Sequence, residues 1–357
     1  MRKYRRQRFF IAIACGALFA CCLWAQDKSW GGLNQRLLEY YRSGRYTEGI
    51  PLATEALQIA ETAFGPNHPN VATSLNNLAE MYRPLGRYAE ALPLYERGLR
   101  IGEATAGPDS LLVAATLNNM GEMYRLQGDF TRAEPLYRRA LAIREKGFGA
   151  NSPDVAQTLN NLALLVAAQN KPQEAEPMYQ RALGIYRSVF GEEHPLVAAC
   201  MSNLAELYRT QRKFALALPL YQRAIEITAK LEGPNDPRIA MVLNNQALLY
   251  AADNKPKEAE RLFQRALGIK EKAYGNESPT LLTTLDNLGT FYASLKRYRE
   301  AAPVFARELQ IAEKNWGEDS PELAGALGNL AGAYRKLGQS EEAGKLEARA
   351  SKLSARR

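Results

Sequence analysis

The stretch TLNNLALLVAAQNKPQEAEPMYQRALGIY, from Thr158 to Tyr186, has the pattern of two helices joined by a short turn. Its apolar residues recur every three or four positions, which is the spacing of one face of an α-helix. The sequence NKP between the two segments interrupts that pattern. The spacing predicts a first helix over residues 154–169 and a second helix over residues 173–190. Gly191 is placed to end the second helix.

The same pattern returns at a constant interval along the chain. Asn76, Asn118 and Asn160 are each 42 residues apart, and every copy carries the same two helical segments. A fixed period of this length is the sequence signature of a solenoid. The sequence therefore predicts an all-α fold, an α-solenoid (right-handed superhelix) of about eight helix-turn-helix repeats. The eight copies, numbered repeats 1 to 8 below, align on Asn34, Asn76, Asn118, Asn160, Ser202, Asn244, Asp286 and Gly328.

The segments between the helices carry the expected turn and cap residues. A Ser or Asp before a Pro, as at Ser152 and Asp236, is predicted to cap the next first helix, with the Pro at its first position. A second set of prolines is predicted near the first turn of the second helices, where a missing N–H does least harm. In repeat 8 the polar residues Glu347 and Ser351 replace core residues, which is typical of a terminal cap. The second set comprises Pro51, Pro93, Pro135, Pro177, Pro219 and Pro303.

The first 25 residues differ from the rest of the chain. A basic start, MRKYRRQR, is followed by an uncharged apolar run from Phe9 to Leu23, as in a secretory signal. This run is shorter than the roughly 20 apolar residues of a membrane-spanning helix. We therefore expect residues 1–25 to be a signal peptide cleaved after Ala25, with the repeat array over residues 26–353 and a basic tail over residues 354–357.

Three alternatives for this segment stay open. Leu18 to Cys21 weakly resembles a lipoprotein box, the pair Arg5-Arg6 resembles a twin-arginine signal, and the segment could remain as an uncleaved anchor. Each alternative gives the same expected location. The protein is expected to be exported to the periplasm or cell envelope, with secretion also open.

Composition argues against several functional classes. The net charge of +8 includes five basic residues of the N-terminal segment, and the remaining charges are dispersed rather than clustered. Because nucleic-acid binders carry a basic face, we expect no nucleic-acid partner. Cys200 is the one cysteine outside the N-terminal segment and is expected to be a small buried residue. His68 and His194 fill the same slot three repeats apart and are expected to be loop residues.

The chain also lacks the usual catalytic and cofactor motifs. It contains no glycine-rich phosphate loop, HExxH, CxxC or GxSxG sequence. Carboxylates recur with the repeat and are expected on helix surfaces. We therefore predict no enzymatic activity, no cofactor and no metal.

The repeat resembles the tetratricopeptide repeat (TPR). First helices read as LNNLAELY and second helices as YxEAxPLYxRALxI, over essentially the whole chain from Lys28 to Leu353. The longer pattern GxxHPxVAxxLNNLAxxY is similar to the kinesin light chain repeat, which also occurs in many bacterial proteins. The resemblance implies a TPR superhelix and an interaction function. A motor adaptor role is not expected for this chain, because it has no sustained heptad segment and carries the predicted export signal.

The asparagine pair of each repeat raises a question, because asparagine is a poor helix former. On a helical wheel Asn161 lies about 200° from the core residue Leu159, so it points away from the helix's own core. First helices of successive repeats stand side by side in a solenoid. The second asparagines should therefore form a row along the inner surface. They are Asn77, Asn119, Asn161, Asn203, Asn245, Asn287 and Asn329.

Two interpretations of this row remain open and can coexist. Each amide could bridge neighbouring helices, or the row could clamp the backbone of an extended peptide, since an amide offers both donors and an acceptor. The resemblance supports the second interpretation, because related repeats use an Asn at this position to hold bound peptide. Alanine at Asn161 and Asn203 should weaken a partner without unfolding the array if the second interpretation holds.

Neighbouring positions on the same face complete the predicted site. Arg83, Arg125 and Arg209 are each three residues after a glutamate and could favour acidic side chains of a partner, although a surface pair of a few tenths of a kcal/mol is the simpler explanation. Leu164 and Leu248 replace those glutamates and would form apolar pockets.

The sequence thus favours a non-enzymatic scaffold that binds extended peptide or protein segments in the concave groove of a superhelix. The alternative is an envelope binding protein for a glycan, lipid or small molecule, for which Phe291 is almost the only aromatic candidate in the groove. The partner is expected to be a protein or peptide. Membrane contact is expected only through the N-terminal segment.

Overall fold

The computed structural model describes residues 29–355. Over this range the chain forms sixteen α-helices and no β-strand, which confirms the predicted all-α repeat fold. The predicted signal segment, residues 1–25, lies outside the described residues. None of the helices in residues 29–355 combines the length and the apolar character needed to cross a membrane.

Each repeat contributes a first and a second helix, numbered here α1 to α16 in chain order. In repeat 4 they start at Pro153 and Pro172, one residue earlier than predicted. The first helices are α1 (Trp30–Arg42), α3 (Pro69–Tyr82), α5 (Leu111–Leu126), α7 (Pro153–Ala168), α9 (Pro195–Thr210), α11 (Pro237–Ala252), α13 (Leu282–Ser294) and α15 (Ala324–Lys336). The second helices are α2 (Tyr46–Phe64), α4 (Tyr88–Ala106), α6 (Phe130–Phe148), α8 (Pro172–Phe190), α10 (Phe214–Glu232), α12 (Pro256–Tyr274), α14 (Tyr298–Trp316) and α16 (Ser340–Ser354). Short 3-10 turns cover Arg83–Leu85, Pro279–Leu281 and Pro321–Leu323.

The chain divides into two compact units at the turn after Lys171. Unit 1 contains α1 to α7, and unit 2 contains α8 to α16. Within each unit every helix packs against the next helix along the chain, and first helices of successive repeats also contact one another. Both units therefore place first helices side by side, as the sequence predicts for a TPR solenoid.

The predicted caps are present at the starts of the first helices. Ser152 Oγ accepts a hydrogen bond from Val155 N at 3.3 Å, and Asp236 Oδ1 accepts one from Arg238 N at 2.9 Å. The histidines take the same role, since His68 Nδ1 accepts from Asn70 N at 3.1 Å. His68 lies just outside its helix, as expected for a loop residue, and also caps that helix.

The histidine caps are reinforced by aromatic stacking. The rings of His68 and Phe64 stack with 4.9 Å between centroids, and those of His194 and Phe190 with 4.2 Å. In both cases the aromatic residue belongs to the last turn of the preceding second helix. Each histidine thus ties the end of one repeat to the start of the next.

The turn inside each repeat needs a left-handed residue. Glycine fills it in repeats 2 and 3, where Gly86 and Gly128 have φ of 71° and 76°. Arg212 and Lys296 adopt φ of 58° and 60° at the equivalent positions of repeats 5 and 7. An L-residue with a Cβ is strained in this region, so these two turns are held by the helices on either side.

The prolines of the second helices lie deeper than predicted. Pro177 is the sixth residue of α8, so it lies in the second turn rather than near the first. All six prolines of this set are exposed. The carbonyl group that loses its N–H partner can therefore bind water, which explains why the helix continues through the proline.

The core is built from aliphatic side chains and, in repeats 2 to 7, from one aromatic ring at a fixed position of each second helix. Tyr95, Tyr137, Tyr221 and Phe263 are among the largest fully buried side chains. Cys200 is buried, as expected, and burial raises the pKa of its thiol to about 12 despite the opposing charge of Arg187. The thiol is therefore protonated and unreactive at neutral pH.

Charged residues on successive second helices pair with one another. Arg139 Nη2 lies 2.8 Å from Glu103 Oε1 and also donates to the Pro108 carbonyl oxygen at 2.9 Å. Arg307 and Glu271 repeat this pair in unit 2 at 2.5 Å. These pairs neutralise charge across the surface and agree with the dispersed charge pattern of the sequence.

Candidate peptide-binding groove

The asparagine pairs are joined between neighbouring repeats. The Asn119 side chain donates through Nδ2 to Asn76 Oδ1 at 3.4 Å, so the second asparagine of repeat 3 binds the first asparagine of repeat 2. The two residues are 43 positions apart, which is one repeat plus one residue. We call each such contact an amide bridge. The bridges are Asn77 to Asn34 at 2.7 Å, Asn119 to Asn76 at 3.4 Å, Asn161 to Asn118 at 3.4 Å, Asn287 to Asn244 at 3.3 Å and Asn329 to Asp286 at 2.8 Å.

These bridges explain why asparagine is tolerated inside the first helices. The acceptors Asn118 and Asn244 are buried, with 3% and 6% of their surface exposed. A buried amide without a partner would cost about 1–3 kcal/mol, so the bridge removes a penalty as well as linking helices. The second asparagines of repeats 2 to 8, by contrast, are all partly exposed. The asparagines can therefore link neighbouring first helices and still present amide groups at the surface.

The three predicted arginines are bound to the glutamate one turn earlier. Arg83 donates through Nε and Nη2 to the two carboxylate oxygens of Glu80 at 3.0 and 2.8 Å, and it also donates to the Tyr41 hydroxyl at 3.0 Å. Arg125 binds Glu122 in the same two-point manner at 2.7 and 2.8 Å. Their side chains are only 11% and 22% exposed.

Arg209 and Glu206 form the same pair in repeat 5 at 2.8 and 2.6 Å. All three pairs are more buried and better aligned than the surface pairs considered from the sequence. Because each arginine already faces a carboxylate, an acidic partner would have to share it. That role for the arginines stays a prediction.

A buried tyrosine completes each of these three pairs. The Tyr137 hydroxyl donates to Glu122 at 2.7 Å and the Tyr221 hydroxyl donates to Glu206 at 2.8 Å, and Tyr95 binds Glu80 in the same way. Burial and the neighbouring carboxylate both raise the pKa of the Tyr137 hydroxyl. Burial alone would raise the pKa of Glu122, but the bonds from Arg125 and Tyr137 lower it below its usual value. The carboxylate thus stays ionised between two donors.

This tyrosine contact was missed from the sequence, although a signal for it exists. Repeats 6 and 7 carry Phe263 and Phe305 at the tyrosine position, and there the glutamate is replaced by Leu248 and Thr290. A phenylalanine needs no hydrogen-bond acceptor. The exchange is one-sided, because repeat 4 keeps Tyr179 with Leu164: within repeats 2 to 7 each glutamate occurs with a tyrosine, but the tyrosine also occurs without the glutamate. We call the Glu–Arg–Tyr sets of repeats 2, 3 and 5 the polar networks.

The predicted apolar pockets are less open than the sequence suggested. Leu164 and Leu248 are both partly buried. Leu248 packs against the core cluster that contains Phe263 and Phe291. Phe291 itself is buried, with its ring centroid 5.5 Å from that of Phe263. It is therefore a core residue and not a surface for a sugar ring.

An open cleft borders the amide row in unit 1. It has a volume of about 390 Å³ and lies between the first helices α1, α3, α5 and α7. Leu38 is 48% exposed at its edge. The cleft therefore combines amides, one carboxylate and apolar surface. Its lining comprises Asn34, Leu37, Leu38, Tyr41, Asn76, Asn77, Glu80, Met81, Asn119 and Gln157.

Similarity to known proteins agrees with the repeat geometry. The family model described as tetratricopeptide repeat matches six segments, the first five of which overlap, and together they span nearly all of the described chain. These segments are residues 40–104, 73–146, 112–188, 154–230, 211–272 and 274–355. The chain belongs to the tetratricopeptide repeat family.

Solved structures of other TPR proteins show the same fold. The crystal structure of BtubC (BKLC) from P. vanneervenii is 25% identical, with a TM-score of 0.52, covering 67% of this chain and 92% of that one. The apo form of RapI is 16% identical, with a TM-score of 0.57 and coverage of 91% and 97%. A kinesin light chain candidate from Podosopora anserina with nearly identical TPR-like repeats is 24% identical, with a TM-score of 0.49 and coverage of 58% and 98%. No curated protein matches this chain.

The family match confirms the TPR repeats. TPR proteins generally mediate protein–protein interactions and are typically non-enzymatic scaffolds. Within residues 29–355, no group of three or more His, Cys, Asp or Glu side chains is placed to hold a metal ion.

Proposed function

We propose that this TPR protein is a non-enzymatic scaffold that holds an extended peptide segment of a protein partner against the amide row. The main support is the cleft of unit 1, because it places Asn77 and Asn119 beside open space of about 390 Å³. Both amides use Nδ2 in an amide bridge, which leaves Asn77 one N–H and its oxygen for a ligand. The Asn119 oxygen already accepts from Asn118 Nδ2 at 3.3 Å, so Asn119 keeps one N–H and one acceptor lone pair. A peptide backbone offers the matching acceptor and donor.

The chemistry of the cleft favours a peptide over a sugar or a lipid. The one aromatic ring in its lining is that of Tyr41, whose hydroxyl accepts a hydrogen bond from Arg83. Burial and the charge of Glu80 raise the pKa of Tyr41 to about 12, so it remains neutral. The lining combines amide groups with the exposed side chain of Leu38, as expected for a surface that holds a backbone and receives side chains.

The position of the cleft allows a direct test. A photo-crosslinking residue at Leu38, which is 48% exposed, should capture a recurring peptide segment when the full chain is expressed in its native host. The same residue at Phe148, which is 48% exposed at the end of α6, is a matched control outside the cleft. The readout is mass spectrometry of the crosslinked segment.

We expect the capture at Leu38 to disappear in the Asn77→Ala/Asn119→Ala variant, while thermal denaturation shows that the array is still folded. Equal capture from Leu38 and Phe148 would contradict the proposal. Crosslinks only to glycan or lipid at Leu38 would favour the alternative of an envelope binding protein.

We also propose that the protein acts in the periplasm or cell envelope. The support is the basic and then apolar N-terminal sequence, residues 1–25. Cell fractionation of the native host, with N-terminal sequencing of the purified protein, tests both export and cleavage after Ala25. Recovery of the full chain from the cytoplasm alone would contradict this location.

A further inference from the structure

The amide row of unit 2 has one gap. Ser202 occupies the position of the first asparagine in repeat 5 and is buried, with 3% of its surface exposed. The bridge that Asn245 of repeat 6 would make to this position is absent. Asn245 is partly exposed and makes no hydrogen bond with any of the residues that the structure describes. The donor and acceptor groups of its amide are therefore not used by the described residues, and the exposed part of the amide can meet a ligand.

An apolar cleft lies beside this free amide. It has a volume of about 120 Å³ and is formed by Ala198, Ala199 and Ser202 of α9, Leu231 of α10, and Met241 and Val242 of α11. Met241 precedes Asn245 by one helical turn on the same face of α11. Ser202 also lines the cleft and occupies the position that Asn245 would bridge, so the cleft adjoins the gap in the amide row.

The apolar walls are specific to this place in the chain. Met241 is 55% exposed and Leu231 is 44% exposed. At the position of Met241 the other repeats carry only small or polar residues. They are Gly31, Thr73, Ala115, Gln157, Ala199, Thr283 and Gly325. A large exposed methionine in one repeat alone is not required by the solenoid and indicates a contact surface.

We propose that the cleft and the Asn245 amide together form an anchor site for one aliphatic residue of an extended peptide. The side chain of that residue enters the cleft, and its backbone amide pairs with Asn245. The inference rests on the proposed function and adds to it a position and a side-chain preference.

The size and charge of the site define the occupant. A dry cavity of about 150 Å³ in another protein holds a benzene molecule, so about 120 Å³ fits one side chain of the size of leucine, isoleucine or methionine. The charges at the rim are already paired, because Arg238 lies 2.8 Å from both Glu232 and Asp236. The apolar walls disfavour an ionic side chain, and an acidic one would also meet the two carboxylates that share Arg238.

The amide distinguishes a peptide from a lipid tail. Asn245 offers both a donor and an acceptor, which a peptide group satisfies in full. A hydrocarbon chain would fill the cleft and leave that amide without a partner. The peptide is therefore the occupant that uses every group of the site.

The test is selection of a random 16-residue peptide library, displayed on phage, against the full chain and three variants. S202N restores the asparagine found at this position in repeats 1 to 4 and 6, so it should bind the Asn245 amide and narrow the cleft. M241T introduces the threonine of repeats 2 and 7 and removes one apolar wall. S202A is the matched control, because it neither bridges Asn245 nor fills the cleft.

We expect the wild type and S202A to enrich peptides with an aliphatic residue at one fixed position. S202N and M241T should lower that enrichment at least tenfold while still selecting peptides, because the cleft of unit 1 is unchanged. Equal aliphatic enrichment with S202N and M241T would overturn the anchor site and leave the proposed function standing. Failure of every form to select any peptide would overturn both.

Discussion

Repeats 2, 3 and 5 differ from repeats 6 and 7 in how the wall of first helices is stabilised. The first group carries the polar networks, in which a buried tyrosine such as Tyr137 donates to Glu122 and Arg125 completes the set. In the second group, Phe263 and Phe305 take the tyrosine position, and the first helix carries Leu248 or Thr290. Repeat 4 combines the buried Tyr179 with Leu164, so a tyrosine does not by itself make the first helix polar. In repeats 2, 3 and 5, however, each glutamate is bound by the tyrosine of the second helix. A charged residue on a candidate binding surface can therefore serve as the hydrogen-bond partner of a buried polar group rather than as a contact for a ligand.

The largest effect is expected from removing the carboxylate of a polar network. Glu122→Leu leaves the Tyr137 hydroxyl and the Arg125 guanidinium without their partner and should destabilise unit 1 by about 3–5 kcal/mol. The Arg83 guanidinium, 4.0 Å from Glu122, loses a neighbour as well. Urea unfolding gives the size of the effect, and backbone hydrogen exchange in α5 and α6 gives its location.

The matched variant rebuilds repeat 3 with the residues of repeat 6. Glu122→Leu combined with Arg125→Ala and Tyr137→Phe removes every orphaned group at once, so most of the lost stability should return. A triple variant as unstable as the single one would show that the three residues do not act as a unit.

Sequence reasoning predicted the repeat length from the 42-residue period of the chain. It predicted the helix boundaries and the outward face of the asparagines from the spacing of residues within one helix. It did not predict which asparagine of one repeat would form a hydrogen bond with which asparagine of the next repeat. The contact from Asn119 to Asn76 depends on how far one first helix is shifted along the next, and that shift is set by packing. The tyrosine of the second helix was missed for the same reason. Its exchange with phenylalanine was nevertheless visible in the sequence.

Repeat 7 differs in a second way, because it carries a buried acid although it has no polar network. Glu308 lies where every other repeat has alanine or glycine, and its Oε2 atom has no hydrogen-bond partner. Burial, together with the charge of Asp286, raises the pKa of Glu308 from 4.5 to about 7. The folded protein therefore binds this proton more tightly than the unfolded chain.

The stability of unit 2 should consequently depend on pH. The contribution of protonated Glu308 is complete below pH 4.5 and is lost as the pH rises through about 7. The loss between these limits is about 3 kcal/mol, since one pKa unit corresponds to about 1.4 kcal/mol. Urea unfolding at pH 5 and pH 8 measures it. Glu308→Ala should remove the dependence, and Asp286→Asn should reduce it only in part, because burial remains. An equal pH dependence in Glu308→Ala would assign it to another group.

The reverse exchange, from phenylalanine to tyrosine, tests repeat 6, which has no polar network. Phe263→Tyr adds a hydroxyl to a fully buried ring next to Leu248, where no carboxylate is available. An unpaired buried hydroxyl should cost about 1–3 kcal/mol. Adding Leu248→Glu supplies the acceptor and should recover part of that loss in thermal unfolding. If Phe263→Tyr is as stable as the wild type, the link between ring and wall is weaker than the sequence exchange suggests.

The smallest expected effect on stability distinguishes an asparagine that makes an amide bridge from one that makes none. Asn287 and Asn245 occupy equivalent positions in neighbouring repeats, but only Asn287 makes an amide bridge, to Asn244 at 3.3 Å. Asn287→Ala leaves the buried Asn244 oxygen without this donor and should cost about 1 kcal/mol. Asn245→Ala removes no internal hydrogen bond, so its stability should be unchanged within about 0.5 kcal/mol. The two variants are compared by urea unfolding of the full chain. Equal losses would mean that the Asn245 amide also stabilises the fold, and that an asparagine without a bridge is not free for a ligand.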